Sequence, residues 1–136
     1  MLILIFFSFR IYSFNLTTKT LQLSKEIEYP NYCILKLLLV NWHHQKLVIT
    51  FATDGKATFW DANSNSITYQ QSLHQSGINS YDYTMVDEYL FLVTGGDDTS
   101  LVATSFAITG EGIKTVVQRK NSSVHEAQVS GENFCA

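Results

Sequence analysis

Residues 47–61, LVITFATDGKATFWD, carry the clearest fold signal in the chain. Two β-prone runs flank Asp54-Gly55, a dipeptide that favours a tight hairpin turn because glycine tolerates positive φ and aspartate can bond its own backbone. Residues 91–105, FLVTGGDDTSLVATS, repeat the pattern. Thr50 corresponds to Thr94 and Asp54 to Asp98, and both offsets are 44 residues (94 − 50 and 98 − 54). The sequence therefore predicts two similar β-hairpins.

Further β-prone segments flank both hairpins, at residues 33–40, 66–73, 78–85 and 114–119. Four short strands that recur every 40–45 residues or so are the signature of a WD-type propeller blade. Trp60-Asp61 closes the first hairpin as the dipeptide that names this repeat. We predict an all-β fold, a WD-repeat β-propeller fragment with about two full blades and parts of two flanking blades.

The predicted organisation is a partial blade with a linking strand in residues 1–30, blades in 31–73 and 74–124, and the truncated start of a further blade in 125–136. The apolar run of residues 1–10 is predicted as a buried strand rather than a signal peptide, because it lacks a basic start and a cleavage site. Propellers close with about four to eight blades, so we expect the chain to be part of a larger propeller.

The second hairpin fits the polar network of the WD pattern, in which a histidine between blades bonds the aspartate of the hairpin turn. His74 lies 24 residues before Asp98 (98 − 74), and Thr94 supplies the hydroxyl of the middle strand. Thr104 stands where the pattern has tryptophan. Such a network satisfies buried polar groups and fixes the loop between neighbouring blades.

The first hairpin carries the complementary part of that network: Thr50, Asp54, Trp60 and Asp61 are present. The residue 24 positions before Asp54 is Pro30 instead of histidine (54 − 24). The corresponding histidine of a third repeat is predicted at His125. It lies 51 residues after His74 (125 − 74), so we expect a loop insertion at residues 107–112.

Four pieces in order resemble the C-terminal propeller of the family of WD repeat-containing protein six. They are ATDGKATFWD at residues 52–61, HQSGINS at 74–80, GGDD at 95–98 and HEAQVSG at 125–131. The resemblance covers about residues 30–131. It implies a non-catalytic, cytoplasmic adaptor of an FtsJ-type tRNA 2'-O-ribose methyltransferase that acts on the anticodon wobble nucleotide, with S-adenosylmethionine held by the partner.

Two other functions stay open at this point. One is a WD-repeat interaction scaffold of another complex, with the same blade chemistry and different partners. The other is a small secreted binding protein with a cleaved leader, which would be glycosylated at Asn15 or Asn121 and bridged between Cys33 and Cys135. The resemblance favours the methyltransferase adaptor, with tRNA contacted indirectly or through other parts of the parent protein.

Composition and motifs favour no catalytic function. With 46% hydrophobic and 15% charged residues the chain is not a disordered one, and a net charge of −3 gives no broad basic signature for nucleic acid. Neither a phosphate-binding glycine loop nor a Cys-x-x-Cys pair occurs in the sequence. We predict no cofactor, no metal, no membrane and no small-molecule substrate.

No other side chains show the spacing of a metal or catalytic site. Histidines at 43, 44, 74 and 125 lack metal-type spacing, and nothing positions a histidine base beside Cys33 or Cys135. Turn positions favour structural roles for the aspartates of both hairpins, Asp97 included. Candidates for RNA contact combine basic groups with a nearby indole: Lys36, His43, His44, Lys46, Lys114, Arg119, Lys120 and Trp42.

Overall fold

The computed structural model describes residues 2–5, 7–42 and 45–122, which form eleven β-strands in three antiparallel sheets. His43, His44, His125 and Cys135 lie outside the described residues. The all-β fold predicted from the sequence is confirmed. The described part of the chain contains no helix that could span a membrane.

The N-terminal sheet has three strands in the order β1-β2-β3: β1 (Leu2–Ile5), β2 (Ser8–Asn15) and β3 (Thr20–Glu28). The apolar run of residues 1–10 was predicted as one strand. Instead, the chain reverses direction within this run, and Leu2–Ile5 pairs antiparallel with residues 8–11 of β2.

The middle and C-terminal sheets are four-stranded meanders, each in chain order. The middle sheet contains β4 (Ile34–Trp42), β5 (Gln45–Ala52), β6 (Lys56–Asp61) and β7 (Ile67–Ser72). The C-terminal sheet contains β8 (Ile78–Val86), β9 (Tyr89–Gly96), β10 (Leu101–Thr109) and β11 (Gly112–Asn121). The two sheets repeat one architecture, as the 44-residue offset indicated.

The middle sheet lies between the other two. On β5, Leu47, Ile49 and Phe51 belong to the core shared with the C-terminal sheet, while Val48 and Ala52 belong to the core shared with the N-terminal sheet. A strand buried on both faces needs a continuous apolar run, not alternating apolar and polar residues. Residues 47–52 form such a run, in which Thr50 is the single polar residue.

Aromatic side chains fill both junctions between sheets. Phe59 meets Phe106 at 5.0 Å between ring centroids, and Phe51 stacks on Tyr81 at 4.9 Å. At the other junction, Phe9 packs edge-on against Trp60 at 5.7 Å. These offset and edge-on arrangements suit the charge distribution of aromatic rings.

The loop insertion expected at residues 107–112 is wrong. Residues 107–109 continue β10, Gly112 begins β11, and Ala107 pairs with Lys114 while Ile108 pairs with Ile113. The extra residues lengthen the hairpin because Ala107 and Ile108 are buried and continue the apolar core.

Candidate functional site

His74 connects the middle sheet to the turn of the C-terminal sheet. Its backbone amide and that of Leu73 donate to the Gly55 carbonyl, at 3.0 and 2.9 Å, and hold the loop on the β5–β6 turn. Its imidazole Nδ1 lies 2.9 Å from Asp98 Oδ1 and its Nε2 lies 2.9 Å from Thr94 Oγ1. One buried residue thus bonds two sheets through its backbone and its side chain.

Asp98 gathers donors on both carboxylate oxygens. Oδ1 accepts from the Ser100 hydroxyl (2.6 Å) and the Ser100 amide (3.1 Å), and Oδ2 accepts from the Gln75 amide (3.0 Å). Lys120 Nζ lies 3.2 Å from Oδ2 at the surface. Burial disfavours the ionised carboxyl, but the hydrogen bonds from Ser100, Gln75 and His74 outweigh it and hold the pKa of Asp98 well below its usual range.

The surroundings of His74 favour its neutral imidazole. Burial lowers the pKa of His74, although its hydrogen bond to Asp98 acts in the opposite direction. A neutral ring has one donor and one acceptor, so Nδ1–H donates to ionised Asp98 and Nε2 accepts from the Thr94 hydroxyl. Both nitrogens are therefore occupied within the network.

Two glycines allow the backbone to approach His74. A Cβ on Gly96 would lie 2.5 Å from His74 Nδ1 and 2.8 Å from Asp98 Oδ1. Gly55 has φ +75°, and a Cβ there would overlap the His74 carbonyl. In the C-terminal sheet, Thr99 takes the turn position of Gly55 (55 + 44) and adopts φ 64°, an uncommon conformation for a β-branched residue.

Tyr29 takes the place of the missing histidine at the first hairpin. Its hydroxyl donates to Asp54 Oδ2, and Asp54 Oδ1 also accepts from the Lys56 amide at 3.1 Å. The Tyr29 ring meets Trp60 edge-on at 6.0 Å. Burial, followed by the hydrogen bond to Asp54, raises the pKa of Tyr29 to about 12, so the hydroxyl stays a donor.

The motif search missed Tyr29 because it lies 25 residues before Asp54 (54 − 29), beside Pro30, and is not a histidine. The sequence signal that could have identified it is an aromatic residue with a hydroxyl group, one residue from the position where the pattern has histidine. Gln70 completes the cluster, since its Nε2 donates to the Tyr29 hydroxyl (3.1 Å) and to Thr58 (2.9 Å). Trp60 Nε1 donates to Thr50 Oγ1 at 3.0 Å, deeper in the same junction.

The structure therefore brings together His74, Thr94 and Asp98 in one cluster, and places Thr50 with Trp60 and Asp54 with Tyr29 at the other junction. Asp61 lies outside both. Its carboxylate accepts from the Asn63 amide at 2.8 Å and shapes the β6–β7 turn.

Thr104 is buried in the C-terminal sheet at the position of Trp60 (60 + 44). Its hydroxyl has no hydrogen-bond partner among the described residues. The C-terminal sheet thus lacks the indole donor that Thr50 receives in the middle sheet.

Other candidate groups are dispersed. Among the described residues no cluster of three or more histidine, cysteine, aspartate or glutamate side chains could hold a metal ion. Cys33 is partly exposed, just before β4, and its amide donates to Thr53. The described basic candidates lie on three strands: Lys36 on β4, Lys46 on β5, and Lys114, Arg119 and Lys120 on β11.

The fold is that of a WD-repeat propeller fragment, with four-stranded antiparallel sheets joined by polar networks at their turns. No protein-family model matches the chain. Among known proteins, it is similar to the Drosophila melanogaster protein called tRNA (34-2'-O)-methyltransferase regulator WDR6. The two are 25% identical over 114 residues, which cover 77% of this chain. The chain spans only 11% of the length of that relative, which is named as a regulator and not as the enzyme.

Asp98→Ala should lower the free energy of unfolding by about 1–3 kcal/mol, because it leaves buried donors on His74 and Ser100 without their acceptor. Thermal unfolding of the variant beside Glu111→Ala, which changes an exposed turn residue, measures the loss. An unchanged melting temperature would contradict the role of Asp98 in joining the sheets.

Tyr29→Phe keeps the ring that packs on Trp60 and removes the hydroxyl that bonds Asp54. We expect a destabilisation of about 1–3 kcal/mol, because the acceptor loses a buried partner. Tyr32→Phe, which removes the hydroxyl of a nearby exposed tyrosine, is the matched control and should change stability little. Equal stabilities for the two variants in urea titrations would refute the assignment of Tyr29.

Gly96→Ala should destabilise the protein by about 1–3 kcal/mol, because the new methyl group pushes His74 from Asp98. Gly110→Ala is the control, since a Cβ at Gly110 meets no atom within 4 Å. Differential scanning calorimetry of both variants tests the expectation, which fails if their melting temperatures fall equally.

Proposed function

We propose that the protein is a non-catalytic WD-repeat scaffold that regulates a tRNA 2'-O-ribose methyltransferase acting on nucleotide 34, the anticodon wobble position. One observation carries the proposal: the similarity to the WDR6 regulator extends over 114 residues, most of this chain. The proposed partner is an FtsJ-type methyltransferase, which binds S-adenosylmethionine itself. The scaffold requires no cofactor and acts in the cytoplasm.

The geometry of the two networks supports a structural role for the polar residues. Both ring nitrogens of His74 make hydrogen bonds, and both carboxylate oxygens of Asp98 accept them. The Tyr29 hydroxyl keeps its proton and donates a hydrogen bond to a carboxylate. A general base needs a free lone pair within reach of a substrate proton. In these clusters the lone pairs and protons hold neighbouring sheets together.

The surface chemistry agrees with an indirect relation to tRNA. Lys120 is partly engaged by Asp98, and the remaining described basic candidates are spread over β4, β5 and β11 of two different sheets. Nucleic-acid surfaces gather such charges along one groove or stripe. We therefore assign the contacts with tRNA to the methyltransferase or to other parts of the scaffold.

The proposal is tested by immunoprecipitation of the endogenous protein with an antibody to residues 60–130, followed by mass spectrometry of its partners. We expect an FtsJ-type methyltransferase, and depletion of the protein should lower 2'-O-methylation of tRNA nucleotide 34. Wild-type protein and the Glu111→Ala control should restore the methylation. Recovery of another complex with unchanged nucleotide-34 methylation would instead identify a WD-repeat scaffold of different function.

A further inference from the structure

The edge strand of the C-terminal sheet, β11, makes polar contacts with β7, the edge strand of the middle sheet. Thr115 Oγ1 lies 2.8 Å from the Tyr69 hydroxyl oxygen, and the Thr115 amide donates to that oxygen at 3.2 Å. Thr115 Oγ1 also donates to Gln71 Oε1 at 3.0 Å. These hydrogen bonds connect β11 to the strand that leads directly into His74.

Two further side chains of β11 contact the two partners of the His74–Asp98 bond. Gln118 Nε2 donates to the carbonyl of Ser72 at 3.3 Å, two residues before His74 (74 − 72). Lys120 Nζ lies 3.2 Å from Asp98 Oδ2. Strand β11 therefore contacts the segment that carries the histidine and also the carboxylate that accepts its hydrogen bond.

A β-bulge gives the three side chains of β11 a common face. Each of them pairs across the strands with a buried residue of β10: Thr115 with Phe106, Gln118 with Thr104, and Lys120 with Val102. The register shifts once between the two strands, where β11 contains the extra residue Val116. Without Val116, Thr115 would lie on the opposite face, because side chains alternate along a strand. The bulge therefore directs Thr115 toward Tyr69.

The middle sheet contains an equivalent contact at its own junction. Gln70 on β7 pairs with Thr58 of β6. The position 44 residues later (58 + 44) is Val102, which pairs with Lys120 on β11. Gln70 Nε2 donates to the Tyr29 hydroxyl at 3.1 Å, and that hydroxyl donates to the turn aspartate. At both junctions, an edge strand thus places a side chain on the pair of residues that closes the junction.

We propose that Thr115, Gln118 and Lys120 form a clamp on β11 that positions His74 for its hydrogen bond to Asp98. The Gly55 carbonyl orients the loop before His74 within the middle sheet, whereas the clamp connects the same segment to the C-terminal sheet. The clamp residues are positioning residues that the WD pattern does not specify. This inference concerns the junction alone and is independent of the identity of any methyltransferase.

Hydrogen exchange of the full-length protein, followed by mass spectrometry, tests the clamp. In Thr115→Val, the amides of residues 73–75 should exchange about 10-fold faster than in the wild type, because the loop opens locally more often. Exchange in residues 45–60, within β5 and β6, should keep its wild-type rate. Thr84→Val, the same change at an exposed threonine of β8, is the matched control. Equal rates for the two variants in residues 73–75, or an equal rise in residues 45–60, would overturn the proposal.

Two further variants separate the hydrogen bonds from simple packing. Thr115→Ser keeps the hydroxyl and should restore the wild-type exchange of residues 73–75, so exchange as fast as in Thr115→Val would contradict the clamp. Tyr69→Phe removes the other side of the same contact. The double variant Tyr69→Phe with Thr115→Val should therefore exchange no faster than the faster single variant. Effects that multiply would show that the two side chains act independently and would overturn the proposal.

Discussion

Both faces of β5 are apolar, so the middle sheet needs a neighbour on each side before its core is removed from water. Val48 and Ala52 are buried against the N-terminal sheet, and Ile49 and Phe51 against the C-terminal sheet. Because the transfer of apolar surface from water is the main favourable term in folding, a sheet of this composition acquires most of its stability at its junctions. The turns and loops of the described chain serve to place those neighbours.

Each junction is closed by an aspartate that its own turn holds in place. The amides of Lys56 and Ser100 donate to Asp54 and Asp98 in the same way, two residues along the chain. With the acceptor fixed locally, the donor from the incoming loop can vary. His74 serves at one junction and Tyr29 at the other, and both present a proton to a carboxylate while their rings pack in the interior.

The sequence predicts what local chemistry determines. Asp54-Gly55, the apolar runs around it and the 44-residue offset suffice for the hairpins, whereas the pairing of His74 with the second turn is predicted from the WD pattern. Tyr29 is not predicted, because any hydrogen-bond donor of suitable reach can satisfy Asp54, whereas the WD pattern specifies only histidine. The length of β10 and β11 is not predicted, because the spacing of 51 residues gives the number of extra residues but not their conformation, which the burial of Ala107 and Ile108 favours as strand. Asp61 belongs to the repeat by sequence, but its carboxylate accepts from the Asn63 amide in its own turn and lies outside the two networks of the described residues.

The carbonyl of Gly55 receives the amides of both Leu73 and His74, and this arrangement gives the chain a direction of assembly. The β5–β6 hairpin is built from residues that precede the loop, so all of its turn residues are synthesised before residues 73 and 74. Contacts within each sheet are close in sequence, which keeps the entropy lost in loop closure small. Each completed hairpin can therefore capture the segment synthesised next, and the sheets can be added in order from the N-terminus during translation.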